Sequence, residues 1–320
     1  MVASLEINGL EVSVGKDSLP VHALRGVDLS LMNAQVTGLV GETGSGKSMT
    51  ALAALGLLPQ TAKIGKGSVK LDGQDLIGLT EKQWQQIRGR RISIIFQNAQ
   101  AALHPMLSVG AQMVRLHQLH VGGNRQESKQ AAKAMLSSVG LPHSDAQMQA
   151  FPHQLSGGQC QRVMIAMALI CQPQIVFADE PTSGLDVTIQ KQVLETLMKR
   201  VREAGMTMLL ISHDIGVIRH TCDHVAIMYA GQVVEYGPKD LVLEKPAHPY
   251  TQALLSCLDL NQRRMPYILG TVPDLRREIS GCAFANRCAQ VSEDCRVNPP
   301  AWEHVDTHQF ARCVLYHKRL

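Results

Sequence analysis

The chain has 320 residues, 45% of them hydrophobic, and a formal net charge of +4 scattered without Lys/Arg blocks or interleaved aromatics. That length supports one full-sized core with a smaller annex, and the scattered charge leaves no footprint for nucleic acid. No stretch approaches the ~18 consecutive apolar residues of a membrane span, so the chain is expected to be soluble or held at a membrane only through partners. Between Leu5 and Leu31, short apolar alternations broken by Gly15, Pro20 and Gly26 predict an antiparallel strand region. VTGLV, residues 36–40, reads as a buried strand, GETGSGKS as a glycine-rich turn and MTALAALGLL as helix. Residues 98–170, rich in Gln, Ala, Met and Leu, have helical spacing, and QIVFADE (174–180) is a strand ending on two carboxylates. Ile189, Val193, Leu197 and Val201 mark one helix face, stopped at Gly205 before the buried strand in MTMLLISHD. VAIMYAGQVVEYG predicts a hairpin turning at Ala230 and Gly231. After about Ser256 the periodicity fades into Pro, Arg and Cys, which predicts a domain of residues 1–255 and a second of 256–320.

Gly41, Glu42, Thr43, Gly44, Ser45, Gly46, Lys47 and Ser48 fit G-x-x-x-x-G-K-[ST] between an expected strand and helix, the context a phosphate-binding loop needs. Glycines let backbone N–H groups close around phosphate oxygens, Lys47 neutralises the outer phosphates and Ser48 can ligate Mg²⁺. Asp179 and Glu180 end their strand as a pair: the first can hold Mg²⁺ through water while the second orients or deprotonates an attacking water. Without the loop, two solvated acids at a strand end would be the better reading. Leu155-Ser156-Gly157-Gly158-Gln159 has the form of a helix N-terminus, capped by Ser156 and open to an anion.

At this point residues 1 to about 255 resemble an ABC (ATP-binding cassette) ATPase, with LSGGQ as that family's signature. Gln97 in IIFQ matches the Q-loop glutamine, Asp186 in SGLD the D-loop, and His213 in LLISHD the switch histidine. The resemblance implies an α/β P-loop NTPase fold: a RecA-like core, an antiparallel β-subdomain and a helical subdomain at about 98–170. It implies ATP and Mg²⁺ as cofactors, the ion held by Ser48, Gln97 and Asp179, and catalysis by Glu180, His213, Gln97 and Asp179. Two cassettes then pair head to tail, with Leu155 to Gln159 acting in trans. Two positions depart from the family. Val14 stands where an aromatic residue usually stacks on adenine, with His22 a weak substitute, and Asn98-Ala99 replaces the usual acidic residue and proline after Gln97.

His248-Pro249-Tyr250-Thr251 resembles the element that follows the cassette in oligopeptide, dipeptide and nickel importer ATPases. The tail resembles the same branch's small cysteine-rich C-terminal domain, with Ser280 where proline is common. Its spacing is Cys282-x₅-Cys288-x₆-Cys295-x₁₇-Cys313. MVASLEINGL has neither the basic segment nor the apolar core of a signal peptide, so these thiols are expected to be reduced or metal-bound. Structural zinc sites usually include a close C-x₂-C pair, absent here, whereas a cubane cluster accepts varied spacing. Resemblance to the dipeptide-importer ATPases implies a 4Fe-4S iron–sulfur cluster; zinc is the second alternative and unliganded thiols the third. Cys160, Cys171, Cys222 and Cys257 are expected to be structural, and most of the thirteen histidines, His117 and His120 among them, to be solvated.

The function implied is the ATPase of an importer for peptides, nickel-type chelates or similar solutes, peripheral at the cytoplasmic face of the inner membrane. Its implied partners are two transmembrane permease subunits, a second ABC ATPase expected to be a different chain, and an extracytoplasmic solute-binding protein; no nucleic acid is expected. The alternative, a non-transport ABC ATPase acting on nucleic acid or ribosomes, typically carries coiled-coil insertions or two cassettes per chain, and neither is visible. An exporter ATPase is disfavoured by the HPYT element and the cysteine tail.

Overall fold

The computed structural model describes residues 3–15, 19–141, 144–257 and 267–317. The chain divides into two compact units, one of residues 1–32, 36–77 and 211–320, the other of 33–35 and 78–210. Residues 267–317 therefore belong to the same unit as the phosphate loop.

In the first unit, the strands Ala3–Val14 and Val21–Met32 pair antiparallel, as their alternation predicts. Leu5, Ile7, Leu10 and Val12 are buried, and the register shifts between Ile7 and Leu10 keep them on the core side across Gly9. Ala62–Leu71 pairs with the other edge of Ala3–Val14 and carries the two-residue strand Gln74–Asp75 beyond it. A second sheet runs in the order Glu303–Asp306, Gln309–Ala311, Gln232–Pro238, His224–Tyr229, Val36–Val40. All five residues of Val36–Val40 are buried, and this strand pairs parallel to His224–Tyr229. The expected hairpin is present, and Ala230 (φ 46°) and Gly231 (φ 80°) both take the left-handed conformation that a tight two-residue turn requires.

The fading periodicity after Ser256 hides two short strands. Gln309–Ala311 pairs with Gln232–Pro238, setting Ala311 opposite Glu235 and Phe310 opposite Tyr236, and Glu303–Asp306 adds outside it. Side chains seat the tail as well. Phe284 meets Tyr229 and Tyr250 edge-on with ring centroids 5.4 Å away. Asp28 accepts from Gly9 N (2.7 Å), Trp302 Nε1 (3.0 Å) and the Arg312 guanidinium.

In the second unit, Thr207–Ile211, Ile175–Asp179 and Ile92–Ile95 lie side by side in that order, the last two parallel. The helical stretch expected at 98–170 is broken into Ala99–Ala102, Val109–His120, Arg125–Ser138, Ser144–Gln149 and Gly157–Leu169. Asn98, Ser108, Asn124 and Ser156 cap four of these helices through side-chain oxygens. Val187–Glu203 buries Val193, Leu197 and Val201 and ends before Gly205 (φ 61°), as its sequence predicts. Among the described residues no helix is long and apolar enough to cross a membrane.

Candidate functional site

Val36–Val40 delivers the chain to Gly41, and the helix Lys47–Ala54 leaves from Gly46. The loop between them passes so close to the strands His224–Tyr229 and Val21–Met32 that only glycine fits at its ends. A Cβ on Gly41 would lie 2.0 Å from Met228 O, and one on Gly46 (φ 108°) would lie 2.9 Å from Ala23 O. Lys47 Nζ donates to Gly41 O (2.8 Å) and Glu42 O (3.0 Å), which curls the loop around the ammonium. Thr43, Gly44 and Ser48 are exposed. The helix that follows has no acidic residue in its first turn, so its N–H groups present an anion site without a competing charge.

In the second unit, adjacent parallel strands bring Gln97 and Glu180 together. Gln97 Nε2 donates to Glu180 Oε2 (2.8 Å) and lies 3.5 Å from Ser183 Oγ. Asp179 closes its strand, and Glu180 takes a left-handed backbone (φ 46°) that is uncommon and costly for a side chain with a Cβ. At that turn its carboxylate meets the Gln97 amide. Ser156 and Gln159 form a reciprocal capping box at the start of the signature helix, Ser156 Oγ accepting from Gln159 N and Gln159 Oε1 from Ser156 N. Asp186 accepts from Ile189 N and starts the next helix. Asn98, the departure after Gln97, caps the short helix Ala99–Ala102 by accepting from Ala101 N.

Within the first unit, His213 is exposed and lines an open cleft with Asp214, Arg219 and Leu243. Val14 lies opposite Val21 and Ala62 at a strand end, with no aromatic group in its place, and His22 is exposed, its N–H donating to Leu275 O (2.8 Å).

Cys282, Cys288, Cys295 and Cys313 line one pocket, together with His248 and Phe284. Among the described residues, no group of three or more His, Cys, Asp or Glu side chains is placed to hold a metal ion. Burial pushes the Cys282 thiol up to about 11 and raises Cys288 and Cys313, with the neighbouring sulfurs adding to it. Burial also pushes His248 down to about 4, which keeps its ring neutral and lets Nδ1 accept from Tyr250 N (3.0 Å). Cys160, Cys171 and Cys222 are buried and Cys257 partly so.

Sequence reasoning missed two groups in this unit. Tyr250 OH accepts from Glu42 N (3.0 Å), so the HPYT element touches the phosphate loop. Arg287, between two of the tail cysteines, donates through Nη1 to both carboxylate oxygens of Glu42 (3.1 and 3.0 Å). Tyr250 carried a signal as part of a motif; Arg287 carried none.

Residues 24–183 match the ABC transporter family, and residues 234–295 match the family described as the C-terminal region of oligopeptide/dipeptide transporters. Among curated relatives, the dipeptide transport ATP-binding protein DppD of Escherichia coli is 37% identical, over 98% of this chain and 96% of its own length. The oligopeptide transport ATP-binding protein AppD of Bacillus subtilis is 39% identical, over 99% and 98%, and OppD of Salmonella typhimurium 40% identical, over 92% and 89%. Among solved structures, the dimeric bacterial ABC transporter cassette MJ0796, in a post-hydrolysis state bound to ADP and Pi, aligns with 26% identity and a TM-score of 0.66, covering 73% of this chain and 98% of that one. CbiO1 of Clostridium perfringens, part of an ABC transporter complex, aligns at 26% identity and a TM-score of 0.64, over 81% and 96%. A phosphate loop, a carboxylate pair and an LSGGQ helix on this fold define an ABC ATPase that couples ATP hydrolysis to transport. The chain belongs to the ATP-binding proteins of the oligopeptide/dipeptide ABC importer family.

Proposed function

We propose that this chain powers the uptake of peptides or chemically similar small solutes from the cytoplasmic face of the membrane. It is held there by two permease subunits, is paired head to tail with a second ABC ATPase, and is supplied by an extracytoplasmic solute-binding protein. The observation that carries this reading is the similarity to dipeptide and oligopeptide transport proteins along nearly the whole chain, tail included. In this reading Lys47 and the backbone N–H groups of residues 43–48 hold the outer phosphates of ATP. Ser48, Gln97 and Asp179 are the candidates to hold Mg²⁺, directly or through water, and the ion supplies charge to the phosphoryl oxygens. Glu180, oriented by Gln97, accepts the proton of the attacking water; His213 senses the γ-phosphate; Leu155 to Gln159 and Asp186 act at the partner cassette. Residues from about 256 onward form a C-terminal module. Reconstituted in proteoliposomes with permeases and binding protein, the chain is expected to drive ATP-dependent uptake of labelled dipeptide. Hydrolysis that no peptide-loaded binding protein stimulates would overturn the assignment.

The four tail cysteines, in the same reading, are ligands of a 4Fe-4S cluster rather than of zinc. Support comes from the four thiols lining one pocket and from their spacing, which lacks the close C-x₂-C pair usual in structural zinc sites. Bound, such a cluster would supply cross-links to a tail whose strands are only three and four residues long. Anaerobically purified protein is expected to be brown, to absorb broadly near ~400 nm and to carry about four irons per chain with matching sulfide. Stoichiometric zinc in protein never given metal would contradict this.

A further inference from the structure

Glu42 is an awkward residue for its position. It is the second residue of a loop built to take polyphosphate, and a carboxylate there repels the ligand it serves. All three of its polar groups are engaged. Its N–H donates to Tyr250 OH (3.0 Å), its carbonyl accepts from Lys47 Nζ (3.0 Å) and from Ser45 N (3.1 Å), and its carboxylate takes Arg287 Nη1 on both oxygens. The guanidinium is itself fixed. Nη1 also reaches Tyr229 OH (3.2 Å), Nη2 donates to Ile268 O (3.3 Å) and Nε to Leu269 O (3.1 Å), leaving the side chain only 7% exposed. Arg287 thus spends its donors on the phosphate loop, on the core strand beneath it and on the tail backbone, the rigid multi-point use for which a guanidinium suits better than an ammonium.

We propose that Arg287 is a positioning residue for nucleotide binding: it reaches from the cysteine-bearing tail to neutralise Glu42 and hold the Glu42 carbonyl on which Lys47 rests. It therefore couples the folded tail to the affinity of the phosphate loop, and it does so whatever the cysteines bind. A charge argument of this kind has a consequence that tail packing alone does not. Removing the guanidinium leaves an unpaired carboxylate on the phosphate loop, and removing that carboxylate as well relieves the repulsion.

The test titrates MgATP into the full-length chain and follows tail integrity by limited proteolysis. Arg287→Met is expected to weaken MgATP binding about tenfold, and adding Glu42→Gln to recover most of that loss. Arg287→Lys, which keeps the charge and loses the fork, is expected to fall between wild type and Arg287→Met. Recovery by Glu42→Gln supports the proposal whether or not the tail becomes more protease-sensitive. Unchanged affinity in Arg287→Met, or a loss that Glu42→Gln fails to relieve, overturns it and leaves Arg287 as a tail anchor only.

Discussion

Replacing Glu180 by glutamine is expected to slow ATP hydrolysis about 10²–10⁴-fold, the range lost when a general base is removed, while leaving MgATP affinity within a few-fold. The split follows from the geometry around the residue. Glu180 is held by Gln97 Nε2 at 2.8 Å, and an amide oxygen at the same position still accepts that hydrogen bond, so the loop keeps its shape. Its left-handed backbone (φ 46°) is strained equally with either side chain, which removes folding as a confounder. What the amide cannot do is take a proton from water. Single-turnover hydrolysis and a nucleotide titration, made on the same preparation, separate the two effects. Turnover near wild type at saturating MgATP would remove Glu180 from the chemical step; a matching loss of affinity would make it a binding residue instead.

Much of the core is legible in the sequence, because burial on one or both strand faces leaves a period or a continuous apolar run. Val36–Val40 and Ile175–Asp179 were readable this way, and Ala230-Gly231 marked its hairpin through turn chemistry. Ala62–Leu71 escaped because three lysines and two glycines dilute its alternation, leaving only Val69 and Leu71 buried. The tail strands Glu303–Asp306 and Gln309–Ala311 are too short for any period to register. For the site, local motifs carried the phosphate loop, the carboxylates and the Ser156 cap, since each is defined within a few residues. The ion pair of Glu42 and Arg287 joins positions 245 apart, and no local pattern encodes it. The cysteines declare four sulfurs, but not that the fold would set all four around one pocket with His248 and Phe284.

Glu235→Ala is expected to cost about 4 kcal/mol of stability, near the upper end for single substitutions, because it strips the acceptor from three buried donors at once. In the sequence Glu235 sits within VVEYG as one polar residue of a strand; in the fold it is 0% exposed. Its Oε1 accepts from Ala247 N (2.9 Å) and Gln309 Nε2 (2.8 Å), and its Oε2 from His248 N (2.8 Å). One side chain therefore ties the hairpin to the HPYT element and to the last strand of the tail. Glu235→Gln is the gentler change: its oxygen can replace Oε1, but its amide nitrogen then meets the His248 N–H, donor against donor, for a loss of about 1–3 kcal/mol. The two variants also separate in their pH dependence. Burial raises the Glu235 pKa against the opposing pull of its hydrogen-bond donors. A folded pKa above the unfolded one means the native chain holds its proton to higher pH, so this group's contribution is full below the ordinary glutamate range and declines as pH rises through the folded value. Urea unfolding across that interval is expected to show wild-type stability declining with pH relative to Glu235→Gln, which has no proton to lose. Parallel curves for the two proteins would mean that folding does not raise the Glu235 pKa, and a midpoint for Glu235→Ala close to wild type would mean that its hydrogen bonds are not what holds the tail to the sheet.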